Sequence, residues 1–383
     1  MLRLILLNAW RHRLRSALTV LGMVVAILAF GLLGTVVDAW YAGADAASAK
    51  RLVTRSSISL VFPLPQTYKE RIRAVDGVRA LSWASWFGGI YKEPKNFFPQ
   101  FAVDGESYFR LYPEFVLDDA HLQGFLRDRR GCVVGRKLAE TYGFRVGDTL
   151  TLKGTIYPGN WDFVVRGIYD GARKGTDRSQ MFFHWAYLDE TIKKRMPGRG
   201  NNVGVFVVEV SSADRVAEVS RAIDGEFANS RAETLTETEK AFQLGFVAMT
   251  EAIVVAIRIV SYLVIFIILA VMANTMAMTV RERTAEYATL KALGFRPFFV
   301  GVLILGESLT LSLGGGAIGI VLTFPVAHAF SVQMGTLFPV FNVSEQTVLL
   351  QLACASAVGV VAALLPMRRV ARLSIVDGLR AVA

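Results

Sequence analysis

Charge is scarce in this chain, and over long stretches it is missing altogether. Only 19% of the 383 residues are charged against 53% hydrophobic, and after Glu307 the next formally charged residue is Glu345. That balance excludes an ordinary soluble protein of this size and makes a membrane protein the default. Cysteine is nearly absent. Cys132 and Cys354 lie far apart, the second inside an apolar run, so no disulfide framework is implied and both read as packed thiols. Catalytic signatures are lacking too: there is no G-x-S-x-G or H-E-x-x-H, and His12, His121, His184 and His328 are scattered without partners at metal-ligand spacing. "GVLILGES", residues 301–308, has the glycine spacing of a phosphate loop. Glu307, however, stands where a lysine would neutralise phosphate, and the setting is apolar, so this is not a nucleotide site. The net charge of +10 would suit nucleic acid only as a basic soluble face. The basic residues instead flank the apolar runs, and no nucleic-acid partner is expected.

Those runs have spanning length. Residues 17–37, 259–280 and 347–367 contain 21, 22 and 21 residues without a charge, enough at about 1.5 Å per residue for the roughly 30 Å of a bilayer. A fourth run, 298–332, carries Glu307 near its start and is expected to sit deepest from about Ser308 onward. The first run could be a secretory signal followed by the small-residue tract "AGADAASA", but it exceeds the usual signal core, and an uncleaved anchor is expected.

Lys and Arg set the orientation. Residues 1–17 hold Arg3, Arg11, Arg13 and Arg15; residues 281–297 hold Arg281, Arg283, Lys291 and Arg296; residues 367–383 hold Arg368, Arg369, Arg372 and Arg380. The connection 333–346 holds none. The positive-inside rule therefore places both termini and the 281–297 loop in the cytoplasm, and residues 38–250 outside.

The outside segment mixes strands and helices. "GCVVGRKLAETYGFRVGDTLTL" reads as a strand, a helix stopped at Gly143, and an alternating strand beyond Gly147 and Asp148; "WDFVVRGIYD" reads as another strand. "NVGVFVVEVSSADRVAEVSRAIDGEF" reads as a strand, a cap and an amphipathic helix with Val216, Val219, Ile223 and Phe227 on one side. An α+β domain, as two subdomains plus a stalk, is expected. From Leu235 to Arg258 a single helix could run outward as that stalk; an ordinary amphipathic connector fits equally well.

Two features inside the runs have competing readings. Gly315 and Gly319 in "GGGAIG" are four apart, the spacing that lets a second helix approach closely. Glu307 either reaches the bilayer interface or faces the bundle, where it would need a partner.

Beyond Val280 the helical pattern continues. Tyr287, Leu290 and Leu293 form an apolar stripe with Glu282, Arg283 and Glu286 on other faces, Gly294 sits where a left-handed cap is required, and Pro297 bars continuation. Such a helix between two spans suits either a relay for a push from a soluble partner or a plain interfacial helix.

"NTMAMTVRERTAEYATLKALGFRP", residues 274–297, resembles the signature of the MacB/FtsX-type ABC transporter permeases. "WRHRLRSALTVLGMVVAI" is similar to the family's amphipathic helix and first span, "CVVGRKLAETYGFRVGDTLTL" to its periplasmic core domain, "ESLTLSLGGGAIGI" to its third span and "LLPMRRVARLSIVDGLR" to its closing segment. The resemblance implies a four-span membrane protein. Its parts would be a cytoplasmic amphipathic helix over 1–16, spans over 17–37, 251–280, 298–332 and 347–367, a periplasmic core domain over 38–250, a coupling helix over 281–297, a short periplasmic loop over 333–346 and a cytoplasmic tail over 368–383. It also implies a non-catalytic permease in the bacterial inner membrane, pairing with a second copy or paralogue and with a cytoplasmic ABC ATPase that binds ATP and Mg. Arg281, Glu282, Arg283, Glu286, Leu290 and Gly294 would couple to that ATPase. Membrane lipids and a periplasmic adaptor or substrate protein complete the implied partners. Export of a lipoprotein, lipid, peptide or small toxic compound is one implied role; activation of a periplasmic cell-wall hydrolase without transport is the alternative. A membrane-anchored sensor or enzyme is a rival class, but it would need a catalytic constellation or a cytoplasmic output domain larger than residues 368–383.

Overall fold

A computed structural model describes residues 5, 8–173, 175–196, 198–334, 338, 340–372 and 374. Arg3 and Arg380, and most of the closing segment after Arg372, lie outside the described residues. The chain divides into two units: a helical one of Met1–Asp38, Thr250–Gln333 and Phe341–Ala383, and an inserted one of Ala39–Met249 with Met334–Val340.

Four helices are long and apolar enough to cross a membrane: Arg13–Ala46, Glu251–Glu282, Pro297–Val332 and Glu345–Arg372. The first, second and fourth extend beyond their charge-free runs, because once a helix has formed each further residue adds a hydrogen bond cheaply. Met23, Ile27, Met272, Met276, Ile304, Ala355 and Ala362 form the centre of the shared core. The third helix meets the first through small residues. A Cβ built on Gly315 would stand 2.7 Å from Met23 Cβ and 2.9 Å from the Val20 carbonyl oxygen, and one on Gly319 would stand 2.9 Å from the Val24 carbonyl oxygen. The backbones touch there only because both positions lack a side chain. Polar groups tie the fourth helix to these two. Gln351 Nε2 donates to the Ile27 carbonyl (2.8 Å) and to Thr323 Oγ1 (2.9 Å), and Asp38 Oδ2 accepts from Ser344 Oγ (2.7 Å) and Thr347 Oγ1 (2.8 Å).

The inserted unit is built on one eleven-stranded mixed sheet. Its order is Thr234–Thr238, Arg51–Ser56, Val205–Val210, Val78–Trp86, Gln100–Val103, Met181–His184, Gly131–Gly135, Gly159–Gly171, Thr149–Gly154 and Gly89–Tyr91, with Phe115–Val116 paired to Gly159–Gly171. Along Gly159–Gly171, Trp161, Phe163, Val165 and Tyr169 are buried at alternate positions, the period-two pattern of a strand with one face inward. The α+β pattern legible in the sequence is present: the helix Arg136–Tyr142 follows its strand and stops at Gly143 with φ +72°, and Val216–Glu226 buries Val216, Val219 and Ile223. The sheet is continuous, while three hydrophobic clusters line it.

The segment from Leu235 to Arg258 is not one helix. Thr234–Thr238, rich in β-branched threonine, pairs with Arg51–Ser56. Thr238 Oγ1 then accepts from the Ala241 N–H and caps Glu239–Ala248. The backbone leaves helical geometry at Thr250 (φ −116°, ψ 13°) before Glu251–Glu282 begins.

The inserted unit carries a buried ion cluster where Arg51–Ser56 begins. Arg51 Nε donates to Glu239 Oε2 (2.8 Å), Nη1 donates to the Leu111 carbonyl (2.8 Å), and both terminal nitrogens reach Glu114. The guanidinium lies 4.2 Å from the centroid of the Tyr112 ring. Burial pushes the Tyr108 and Tyr112 hydroxyls above their ordinary range. With every charge paired, the cluster escapes the large penalty of an isolated buried ion.

Candidate functional site, the hairpin between the second and third spans

The second helix ends at Glu282, and Arg283 (φ −104°, ψ 17°) separates it from a short helix, Thr284–Ala292. The expected continuous pattern is thus broken at Arg283. The break turns this side chain inward, where only 9% of it remains exposed.

Its partners answer the question left open at Glu307. Arg283 Nη1 donates to Glu307 Oε2 (3.1 Å), whose side chain is 7% exposed, and Arg283 Nε donates to Glu286 Oε2 (2.9 Å). Glu307 therefore faces the bundle and is paired. The Arg283 guanidinium also lies 5.3 Å from the centroid of the buried Tyr287 ring.

The chain before the first span joins this network. Arg11 Nη1 donates to Glu286 Oε1 (2.5 Å), and Arg15 Nη1 and Nη2 donate to the two oxygens of Glu282 (2.7 Å each). A bidentate guanidinium–carboxylate pair fixes orientation as well as distance. Both hairpin acids are thereby held by arginines distant in sequence, a pairing no local pattern signals. Lys291 Nζ donates to the carbonyls of Val370 (2.6 Å) and Ala371 (3.2 Å), a favourable place for a cation at the end of the fourth helix.

Of the residues expected to couple, Arg283 and Glu286 are brought together with Glu307, while Glu282 is held by Arg15. Leu290 packs against the bundle core. Gly294 takes φ +90° and its N–H donates to the Lys291 carbonyl (3.0 Å), while the Phe295 N–H donates to the Leu290 carbonyl (3.1 Å), the left-handed cap that glycine favours. Arg281 is exposed and outside the network. Leu293 departs from the expected buried stripe: the helix ends at Ala292, and Leu293 is 71% exposed. Phe295 and Phe298 are exposed beside it in sequence. The sequence reading missed this outward apolar cluster. The turn chemistry of Gly294 and Pro297 was the available signal.

The arginine pairs give a pH expectation. The Arg15 guanidinium holds the Glu282 carboxyl below its ordinary value of 4.5. Burial raises Glu286, but Arg283 and Arg11 outweigh it and hold that carboxyl low as well. The folded state therefore prefers both groups ionised, so their contribution is complete above the ordinary carboxylate value and is lost as pH falls through the depressed one. Amide hydrogen exchange across residues 284–292, corrected for its intrinsic pH dependence, should stay level from pH 8 to about 5 and accelerate below about pH 4. Acceleration already between pH 7 and 5 would contradict these pairings.

Comparison with known proteins follows the same division. Residues 258–375 match the FtsX-like permease C-terminal model, and residues 16–226 match the MacB-like periplasmic core domain model. The chain is 24% identical to an ABC transporter permease of Methanocaldococcus jannaschii, covering 97% of this chain and 96% of that protein. It is 26% identical to the macrolide export ATP-binding/permease protein MacB of Hahella chejuensis, covering 96% of this chain but 58% of that protein. Against MacB of Burkholderia pseudomallei, 36% identity extends over 28% of this chain and 16% of the relative. Among solved structures, the extracellular domain of the noncanonic ABC-type transporter YknZ from Gram-positive bacteria aligns with TM-score 0.35 and 12% identity, over 49% of this chain and 100% of that one. With a core-domain model covering more than half of its length and a permease model over the rest of its spans, this chain belongs to the MacB/FtsX-type ABC transporter permeases.

Proposed function

We propose that this permease works with an ABC ATPase that docks on the hairpin 281–297, and that the hairpin passes ATP-driven motion into the spans and so to the inserted domain, with the hairpin on the cytoplasmic side. The observation that carries this reading is the Arg283–Glu307 pair, which welds the hairpin to the third span at 3.1 Å while Leu293 and Phe295 stay exposed beside it. A displacement of the hairpin cannot be absorbed locally without separating two buried charges. Export or extraction of a lipoprotein, lipid, peptide or small toxic compound is the role we assign.

The experiment is reconstitution with the cognate ATPase. Leu293→Asp puts a charge into the outward cluster without disturbing the core. It should reduce co-purification and stimulated hydrolysis by about tenfold or more, the effect of losing an apolar anchor worth about 2 kcal/mol. Unchanged stimulation would end the docking assignment. A membrane-impermeant thiol reagent that labels Leu293→Cys from the outer face of intact cells would reverse the sidedness.

A further inference from the structure

Arginines at the hairpin end of the bundle fall into two populations. Arg11, Arg15 and Arg283 are committed to Glu282, Glu286 and Glu307. Arg13, Arg281, Arg296, Arg368, Arg369 and Arg372 are exposed, and none has a carboxylate partner among the described residues. They stand at ends of all four spanning helices, since Arg13 opens the first, Arg281 closes the second, Arg296 precedes the third, and the remaining three close the fourth. All three described acids at this end are already taken. The opposite end carries the carboxylates Asp38, Glu251 and Glu345.

What lies next to the free arginines decides the partner. Trp10, just before the first helix, is 51% exposed and Leu14, in its first turn, 77%, bracketing Arg13; on the fourth helix, Leu364 and Leu365 are exposed one turn before Arg368 and Arg369. Outward apolar side chains under a rim of outward cations are the arrangement of acyl chains below headgroups, with a tryptophan at interface depth. We infer that these unpaired arginines form a collar that binds the phosphate headgroups of anionic phospholipids around the hairpin end. The collar is separate from the paired arginines that hold the hairpin, so headgroups can occupy it without dismantling the network. An acidic protein surface would satisfy the charges but not the apolar belt beneath them.

The inference rests on the membrane-spanning reading and not on the ATPase, and its test uses the permease alone. The full chain in nanodiscs of mixed phosphatidylcholine and phosphatidylglycerol is released and its retained lipids counted by native mass spectrometry. Phosphatidylglycerol should be enriched at least about fivefold over its share of the bilayer. Arg13→Gln/Arg368→Gln/Arg369→Gln should bring retention close to parity, Arg127→Gln in the inserted unit should leave the enrichment intact, and 0.5 M salt should reduce it in the unaltered protein. Equal retention of both lipids by the unaltered chain, or enrichment undiminished in the triple variant, overturns the collar. Because no ATPase is present, either result leaves the docking assignment where it stands, and loss of docking in the reconstituted complex leaves the collar untouched.

Discussion

Glu307→Ala will destabilise the bundle by about 3–5 kcal/mol, because it strands the Arg283 guanidinium in a site where 9% of that side chain reaches the surface. Removing one member of a buried pair leaves the other charge shielded from water with only its second partner to balance it. Glu286 remains within reach at 2.9 Å, but it is already shared with Arg11. The informative companion is Arg283→Met with Glu307→Leu, which replaces the pair by apolar groups of similar volume and should recover most of the lost stability. Thermal unfolding in a single detergent separates these outcomes. If coupling runs through the pair, the double variant will be stable yet will fail to transmit stimulation to the ATPase. A double variant that couples normally would reduce the pair to a structural device, and a stable Glu307→Ala would remove even that.

Gly315→Val combined with Gly319→Val is the second large effect expected. Each added Cβ would stand 2.9 Å from a backbone carbonyl oxygen of the first helix, at Val20 and Val24, so relief requires moving a helix rather than a side chain. Overpacking of this kind typically removes about 1–3 kcal/mol per site, and two sites on one seam should cost about 2–6 kcal/mol together. Proteolysis between the spans, or a lowered thermal midpoint, reads the effect. Gly314→Val is the control, since an added Cβ there meets nothing within 4 Å. If both variants unfold alike, the close approach of the first and third helices is wrong.

The spans were legible because a charge-free run of about 20 residues has few alternatives in water. The inserted unit was legible where turn chemistry punctuates it, as from Gly131 to Gly154, where strand, helix, Gly143 stop and strand follow one another as read. Partners across long stretches of chain were not. Arg11 and Glu286 are 275 residues apart, and Arg15 and Glu282 are 267 apart; nothing in the local pattern of either segment specifies the other. Glu307 could not be placed from sequence for the same reason, since its partner sits on a different helix. Of the two readings open for Leu235–Arg258, the single helix does not hold, because pairing with Arg51–Ser56 decides the conformation of the threonine-rich start and no local signal marks that distant partner. Leu293 was assigned to the buried stripe by spacing alone, and the helix end at Ala292 overrode that spacing.

The Arg51 cluster bears on how the inserted unit takes a load. Arg51 begins the strand that follows the first helix, Glu239 begins the helix that precedes Thr250, and Ser48 N–H also donates to Glu239 at 2.8 Å. The segment that follows the first helix and the segment that leads to Thr250 are therefore joined through one carboxylate, next to the pairing of Arg51–Ser56 with Thr234–Thr238. Severing that cross-tie would leave the backbone ladder between Arg51–Ser56 and Thr234–Thr238 as the remaining link, the way a seam holds by its stitches once the knot is cut.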